Sequence, residues 1–437
     1  MVDVARDGAG VPAARRSPGG RADVFDKRLD ASAMLRAVAE TGVSPFYRPM
    51  RAGGGEARVD GRSVVMAGCN DYLGLAHDPR VIAAATGALE RYGASCSGAR
   101  TLNGTLPLHG ELESRIAAFL GTEDAAVVTT GLQANLALAA LFGPGELVFS
   151  DAANHASLID AIRLGAARRT VYRHGDAAHL DGLLAAADPH AAAAVVTDGM
   201  FSMDGDLCPL PALTAVARRH GARLVVDGAH DIGLLGEGGR GVGEHFGLRE
   251  EIGLYTGTFS KCFGSTGGFL AGPAEVIGYL RYSARAVLFS ASMPPAALGA
   301  ALAALDLAQQ EPWRRDRVLR LAARLRSELR ASGLDVRDGV TPVVPVRVGD
   351  DARCVRMWQA LLDEGVYTNA VGAPAVPEGG CLIRVTLQAT HTDAHLERIV
   401  DAFAAAARRT GLPRETPPPR PAKGPAVGAG ASAERAR

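Results

Sequence analysis

The strongest constraint on the fold of this chain is an alternation of short apolar runs with stretches of helical pattern. Helical patterns such as 132–142 and 211–220 separate the runs, and Gly221 stands just beyond the second of them. Short apolar runs that alternate with helices predict a mostly parallel sheet covered by helices on both faces. The apolar runs lie at 125–130, 147–150, 191–199, 223–230 and 254–261.

The pattern changes after about residue 305. A long amphipathic helix is predicted at 311–332, then two short strands at 342–348 and 382–387 and a last helix near 392–410. Both ends lack periodicity and are too poor in apolar side chains to offset their ordering entropy. The predicted segments are a disordered tail at 1–22, an N-terminal segment at 23–75, a large domain at 76–308, a small α+β domain at 309–412 and a disordered tail at 413–437.

Composition excludes several classes of protein. The 437 residues carry 47 basic and 47 acidic side chains, so there is no sign of a nucleic-acid binder. The six cysteines are scattered without a CxxC pair, which argues against a disulfide framework or a zinc site and favours a reducing compartment. Neither a signal peptide nor an integral membrane segment is evident. We therefore expect a cytoplasmic, globular enzyme that needs no metal.

Reactive side chains follow the apolar runs. Gly131 comes directly after one run and opens a helix, which places free backbone N–H groups where a phosphate can bind. Each residue alone is commonly a turn, cap or surface group. Because the carboxyl ends of parallel strands meet at one sheet edge, we expect these residues to gather there. The others are Asn154, His155, Ser157, Asp227, His230, Thr258, Ser260 and Lys261.

At 257–269 the sequence GTFSKCFGSTGGF resembles the lysine segment of the α-oxoamine synthases, which are pyridoxal 5′-phosphate (PLP) enzymes with the fold-type I, aspartate aminotransferase-like fold. The resemblance covers about residues 40–410. The elements SGARTLNGT and EHFGL favour the bacterial serine palmitoyltransferase-like branch. Further matching motifs are NDYLGLAHDP, SGARTLNGT, GLQANLA, NHASLIDA, FSMDGDLCPL, VDGAHDIGLLGEGGRGV, FSASMPP and IRVTLQATHT.

The resemblance implies a role for each catalytic candidate. Lys261 would form a Schiff base with PLP and later move the substrate α-proton. Asp227 would face the pyridine nitrogen and keep the ring protonated, so that it can accept electrons. His155 would stack on the ring, while His230 and Ser202 would hydrogen-bond near the ring oxygen.

The resemblance also implies binding residues. The amides of Gly131 and Leu132, with the hydroxyl of Thr258, would hold the phosphate, and Ser290 would reach the phosphate of a neighbouring subunit. Arg384 would bind the substrate α-carboxylate through two parallel hydrogen bonds from its guanidinium, and Asn70 is a second candidate for this contact. No metal is implied, and the family's homodimers predict a homodimer here.

The chain departs from the family pattern in two places, the segment 227–231 and position 132. The family reads Asp-Glu-Ala-His-Ser or similar where this chain has Asp227-Gly228-Ala229-His230-Asp231. Gly228 removes an acid beside Asp227, and Asp231 introduces one three residues later, which predicts a tuned pocket rather than lost activity. Leu132 replaces an aromatic residue, with little expected effect because the backbone amide is what binds phosphate.

The implied reaction is the decarboxylative condensation of an L-amino acid with an acyl thioester, giving an α-amino ketone, carbon dioxide and free thiol. Serine, alanine and glycine are candidate amino acids, and acyl-CoA or an acyl-carrier-protein thioester is the candidate donor. A specialised natural-product enzyme fits as well as a sphingolipid enzyme. The alternatives are another fold-type I enzyme, such as an aminotransferase or a C–C lyase, and a non-catalytic subunit.

Overall fold

The structure, a computed structural model, describes residues 33–413. The predicted tails at 1–22 and 413–437 therefore lie outside the described residues, apart from Pro413. The first described elements are a short helix and three strands, which are α1 (Ala33–Thr41), β1 (Met50–Gly53), β2 (Glu56–Val59) and β3 (Arg62–Met66).

Strands and helices then alternate, as the apolar runs predict. This stretch comprises α2 (Pro79–Tyr92), α3 (Pro107–Leu120), β4 (Asp124–Val128), α4 (Gly131–Ala137), β5 (Leu147–Asp151), α5 (Ala156–Leu164), β6 (Arg168–Tyr172), α6 (Ala177–Ala185), β7 (Ala193–Asp198), α7 (Leu210–Arg219), β8 (Arg223–Asp227), α8 (Val242–His245), β9 (Ile252–Thr258) and β10 (Gly268–Gly272). Short 3₁₀ turns at Leu138–Leu141 and Arg249–Glu251 extend two of the connections.

Helices dominate the remainder of the described chain. Its elements are α9 (Ala274–Ser283), α10 (Arg285–Leu288), α11 (Pro295–Gln310), α12 (Trp313–Ala331), β11 (Val343–Gly349), α13 (Asp351–Asp363), β12 (Val366–Tyr367), β13 (Asn369–Val371), β14 (Cys381–Thr386) and α14 (Asp393–Thr410). Within residues 33–413, no helix combines the length and the apolar character needed to cross a membrane.

The strands form three sheets. The central sheet has seven strands in the order β4-β10-β9-β8-β7-β5-β6, parallel except for the antiparallel β10. A four-stranded sheet has the order β1-β2-β3-β12, and a three-stranded antiparallel sheet has the order β11-β14-β13. The prediction of a mostly parallel central sheet is thus confirmed, whereas the predicted domain boundaries stay a prediction.

Apolar side chains cover both faces of the central sheet. On β8, Leu224 and Val226 join one hydrophobic core, while Val225 joins a second core on the other face. Successive side chains of a strand point to opposite faces, so a strand buried on both sides reads as an unbroken apolar run. This is the physical reason why the runs are visible in the sequence.

The parallel strands end at one edge of the sheet. Asp198, at the end of β7, is the register partner of Asp227, at the end of β8, and Asp227 is in turn paired with Thr256 on β9. The turns that follow these strands therefore bring their polar side chains together. This edge holds the candidate site.

Candidate active site

A cavity of about 240 Å³ opens at the carboxyl edge of the central sheet. It brings together nine of the residues predicted for this site, from four different turns. Its lining residues are Thr130, Gly131, Leu132, Asn135, His155, Ser157, Asp198, Met200, Asp227, Ala229, His230, Thr258, Ser260 and Lys261.

Lys261 lies in a tight loop after β9. The loop is closed by backbone hydrogen bonds from Phe259 N to Gly267 O at 3.0 Å and from Gly264 N to Lys261 O at 3.0 Å. Burial lowers the pKa of the Lys261 amine, and this effect outweighs the negative charges of Asp227 and Asp198, which raise it. A lowered pKa increases the fraction of neutral amine, which is the nucleophilic form. The chain has only three lysines, Lys27, Lys261 and Lys423, and Lys261 alone lies within the described residues.

Asp227 is a buried carboxylate held in a fixed orientation. Its Oδ2 accepts a hydrogen bond of 2.6 Å from Asn135 Nδ2, and its Oδ1 accepts one of 2.9 Å from the backbone N–H of Ala229. The Asn135 amide is itself fixed, because its Oδ1 accepts a 2.7 Å bond from Thr256 Oγ1. The two contacts hold the carboxyl group in an orientation in which it could accept a hydrogen bond from a protonated ring nitrogen.

Asp198 is a second buried acid in the lining. Its Oδ1 accepts a 3.4 Å hydrogen bond from the backbone N–H of His155, and burial together with the charge of Asp227 raises its pKa. Asp198 was not among the predicted site residues, although it is the second-last residue of the apolar run 191–199. Its position at a strand end was the available signal.

Both predicted histidines lie in the lining. His155 caps α5, and its Nδ1 is 2.7 Å from Ser157 Oγ. His230 Nδ1 is 2.7 Å from the hydroxyl of Tyr72, which lies far away in the sequence. Burial lowers the pKa of both imidazoles, and for His230 the nearby charges of Lys261 and Arg384 act in the same direction. Both rings are therefore neutral near pH 7.

The Gly131 end of the cavity has the features of an anion cradle. Gly131 begins α4, and the Thr130 side chain accepts a 3.1 Å bond from Gln133 N, which caps the helix. A Cβ on Gly131 would lie 2.9 Å from Thr258 Cβ, so glycine permits this close approach. Thr258 Oγ1 donates to Gly267 O at 2.8 Å and lies 2.8 Å from Ser260 Oγ. Ser260 thus joins the predicted set of Gly131, Leu132 and Thr258.

Arg384 lies on β14, is buried, and stands just outside the cavity lining. Its Nε donates to Ser202 O at 2.5 Å, its Nη1 to Asn70 Oδ1 at 3.0 Å, and its Nη2 to Tyr72 OH at 3.5 Å. Tyr72 therefore connects Arg384 to His230. No local pattern could have identified Tyr72, because its partners are remote in sequence.

Besides Arg384, three of the residues predicted to bind cofactor or substrate lie outside the cavity lining. Ser202 contacts Arg384 through its backbone carbonyl and lines a neighbouring cavity of about 950 Å³. Asn70 contacts the Arg384 guanidinium. Ser290 lies next to Ala291, whose carbonyl accepts a 2.5 Å bond from Thr129 Oγ1. The structure does not bring the Ser202 hydroxyl to the cavity, so its predicted contact with the cofactor stays a prediction.

The two departures within the 227–231 segment, Gly228 and Asp231, have different structural settings. A Cβ on Gly228 would lie 2.2 Å from Ile232 Cδ1, so Ile232 fills the space that a side chain at 228 would need. Asp231 is buried outside the cavity lining, where its Oδ2 accepts a 2.7 Å bond from Val242 N. Burial raises the pKa of Asp231 to about 7. Asp231 therefore does not replace the missing acid within the cavity.

Comparison with known proteins gives the family. The model of the family described as aminotransferase class I and II matches residues 63–403. The chain belongs to this family. It is 44% identical over 385 residues to the 8-amino-7-oxononanoate synthase of Geobacter sulfurreducens, covering 86% of this chain and 98% of that protein. It is 38% identical over 388 residues to the serine palmitoyltransferase of Sphingobacterium spiritivorum, covering 87% of this chain and 97% of that protein.

Solved structures agree with the sequence relatives. The serine palmitoyltransferase of Sphingomonas wittichii superposes with a TM-score of 0.86 at 36% identity, covering 90% of this chain and 100% of that chain. A lysine-to-alanine variant of the serine palmitoyltransferase from S. paucimobilis, with a bound PLP–myriocin aldimine, superposes with a TM-score of 0.84 at 36% identity, covering 86% of this chain and 96% of that chain. The chain is a PLP-dependent α-oxoamine synthase with the fold-type I fold, which confirms the predicted family, fold, cofactor and reaction class.

The residues that line the cavity have the chemistry needed to bind PLP. Free N–H groups at the start of α4 suit a phosphate, Asp227 suits a protonated ring nitrogen, and the Lys261 amine suits an aldehyde. The departure at Gly228 leaves these three elements in place.

Proposed function

We propose that this enzyme condenses a small L-amino acid, namely serine, alanine or glycine, with an acyl thioester, and that Lys261, Asp227 and Arg384 perform the essential tasks. The observation that carries the proposal is the convergence of a neutralisable amine and a fixed carboxylate on one cavity, with a buried guanidinium connected to it through Tyr72 and His230. Bound PLP supplies the electron sink that stabilises a substrate carbanion.

Lys261 holds the cofactor and moves the substrate α-proton. Its lowered pKa supports both tasks, because a neutral amine attacks an aldehyde and accepts a proton from carbon. The Asp227 carboxylate, held by Asn135, keeps a proton on the ring nitrogen. The neutral imidazole of His155, which lines the cavity, would pack on the ring.

Arg384 orients the amino acid by its α-carboxylate. Its Nε is fixed by Ser202 O, while the two Nη groups carry more hydrogens than the contacts to Asn70 and Tyr72 use. The guanidinium can therefore bind a carboxylate in a set orientation. Orientation matters here, since proton removal is productive only when the bond to be broken stands perpendicular to the cofactor ring.

The candidate amino acids of the proposal are small, namely serine, alanine and glycine. The cavity of about 240 Å³ would hold the cofactor, and the Arg384 site for the amino acid lies just outside its lining. The acyl donor is a thioester of CoA or of an acyl carrier protein. One relative is an 8-amino-7-oxononanoate synthase and another a serine palmitoyltransferase, so both shorter and longer acyl groups belong in the test.

A homodimer is part of the proposal. Leu102 and Phe289 are 83% and 76% exposed, and they lie on segments joined by the Ala99–Ala291 bridge. The same face holds Ser290 and lies against Thr129 beside the anion cradle. A second copy that covers this face would bury the apolar side chains and reach the cradle. Light scattering should give a dimer, and Leu102→Glu should dissociate it.

We also place the enzyme in the cytoplasm. All six cysteines are free thiols, as a reducing compartment favours.

A thiol-release screen tests the proposed reaction. Purified enzyme with PLP is incubated with each of twenty amino acids against a panel of acyl-CoA and acyl-carrier-protein thioesters, and product masses are determined. Free thiol, carbon dioxide and an α-amino ketone from a small L-amino acid are expected. Amino-group transfer to a keto acid without thiol release would contradict the proposal and indicate an aminotransferase.

A further inference from the structure

Outside the PLP cavity, His174 stands between two acids. Its Nδ1 is 2.9 Å from Asp151 Oδ1, and its Nε2 is 2.9 Å from Asp206 Oδ2. Each ring nitrogen faces a carboxylate oxygen, which only accepts hydrogen bonds, so both nitrogens must carry a hydrogen. The ring is therefore an imidazolium, and hydrogen bonds to the two acids raise the pKa of His174 to about 10.

The cluster is anchored on its Asp151 side. Asp151 is buried, its Oδ1 also accepts from Ala153 N at 2.8 Å, and its Oδ2 accepts from Gly175 N at 2.9 Å. The rings of His174 and Phe201 pack in a T-shaped arrangement, with centroids 4.4 Å apart. These contacts fix the imidazolium relative to the end of β5.

Asp206 belongs to a closed turn formed by residues 199–208. The turn is held by the bridge between Met200 and Leu207 and by a 2.9 Å bond from Phe201 N to Asp206 O. Because these bonds lie within the turn, a contact at Asp206 positions the whole 199–208 turn. His174 therefore gives this turn a side-chain connection to the end of β5, in addition to the backbone pairing of β7 with β5.

The opposite side of the 199–208 turn faces the small three-stranded sheet and Arg384. Ser202 O accepts the 2.5 Å bond from Arg384 Nε, and Gly205 O accepts a 2.7 Å bond from Thr341 Oγ1. The position of the Ser202 carbonyl thus depends on how the turn is held.

We propose that His174 is a positioning residue for the substrate-carboxylate site. It holds the 199–208 turn against β5, so that the Ser202 carbonyl sets the orientation of the Arg384 guanidinium. The inference rests on the proposed role of Arg384. Without the imidazolium, Asp151 and Asp206 would face each other with no cation between them, and their repulsion would displace the turn.

The test uses the PLP-loaded enzyme with the amino acid that the thiol-release screen identifies. For His174→Gln we expect the KM and the dissociation constant of the amino acid to rise about tenfold, with kcat within about twofold and cofactor content unchanged. A crystal structure of the variant should show Arg384 Nε and Ser202 O beyond hydrogen-bond distance. His190→Gln, at an exposed loop position, is the matched control and should behave as the parent.

Second variants keep the test decisive. Asp206→Asn in the His174→Gln background removes the facing charges and should recover part of the lost affinity. If His174→Gln does not fold, Asp206→Asn alone should raise the amino acid KM. An unchanged KM in the folded variant overturns the inference. Arg384→Lys separates the two claims, since an unchanged KM in that variant would overturn the carboxylate role itself.

Discussion

Nδ2 of Asn135 donates a 2.6 Å hydrogen bond to Oδ2 of Asp227, so a helix side chain fixes the acid at the end of β8. Asn135 lies on α4, the helix whose first residue is Gly131. The N–H groups that suit a phosphate and the side chain that orients Asp227 therefore belong to the same helix. This arrangement sets the distance between the two ends of the cofactor site.

Replacing Asp227 with Asn should lower kcat about a thousandfold, because the ring nitrogen would lose the carboxylate that keeps it protonated. Thiol release measures the effect, and cofactor content checks that PLP still binds. Asn135→Ala keeps the Asp227 carboxyl group but removes a hydrogen bond that orients it, and should lower kcat about tenfold. Activity of Asp227→Asn within threefold of the parent would refute the assigned role.

Replacing Arg384 with Lys should raise the amino acid KM about a hundredfold, since an ammonium cannot form the paired hydrogen bonds of a guanidinium. Steady-state kinetics at saturating thioester measures it. Arg347→Lys, at an exposed position of β11, is the control and should be silent. Equal KM values for the two variants would count against the proposed carboxylate site.

Asp231→Asn should stabilise the protein more at pH 8 than at pH 5. The folded state holds the Asp231 proton up to about pH 7, whereas an unfolded carboxyl loses it near pH 4. The contribution of the protonated Asp231 side chain to the stability of the folded state is therefore complete below about pH 4 and is lost as the pH rises towards 7. Asn keeps an acceptor for Val242 N without this loss.

Urea unfolding at pH 5 and pH 8 measures the effect of Asp231→Asn. The advantage of the variant should grow over this interval by about 3 kcal/mol, because about two of the roughly three pKa units of the shift take effect between pH 5 and pH 8. Asp401→Asn, at an exposed site on α14, should show no such growth. A pH-independent difference for Asp231→Asn would mean that the buried carboxyl titrates normally.

Gly228→Ala should lower the free energy of unfolding by about 1–3 kcal/mol, because the new methyl group would overlap Ile232. Chemical denaturation gives the value. Gly182→Ala, within α6 with no atom near the added methyl group, should instead be neutral or stabilising. If Gly228→Ala were as stable as the parent, the close approach at 228 would not explain the glycine.

The sequence predicts most of the buried strands and the polar residues that follow them. Strands buried on both faces, such as β8, stand out as apolar runs, and the residues after them are brought together by the parallel topology. The edge strand β6 (Arg168–Tyr172) is mostly exposed, and β10 begins and ends with glycine, so neither has a run of this kind. Both were missed for this reason.

Contacts between distant segments lie beyond such prediction. Tyr72 meets His230 and Arg384 only because β14 and the segment after β3 pack against the carboxyl edge of the central sheet. The bond from Arg384 to Ser202 spans a similar separation in sequence. The motifs could identify these residues as candidates, but not their partners.

The central claim is that the Lys261 amine carries the cofactor. Borohydride reduction of the PLP-loaded enzyme, followed by proteolysis and mass spectrometry, should find a pyridoxyl group on the peptide that contains Lys261. Lys27 and Lys423 are internal controls and should remain unmodified. Lys261→Ala should keep the fold but lose both the label and turnover. A pyridoxyl group at Lys27 or Lys423 with Lys261 unmodified, or substantial turnover by Lys261→Ala, would contradict the account.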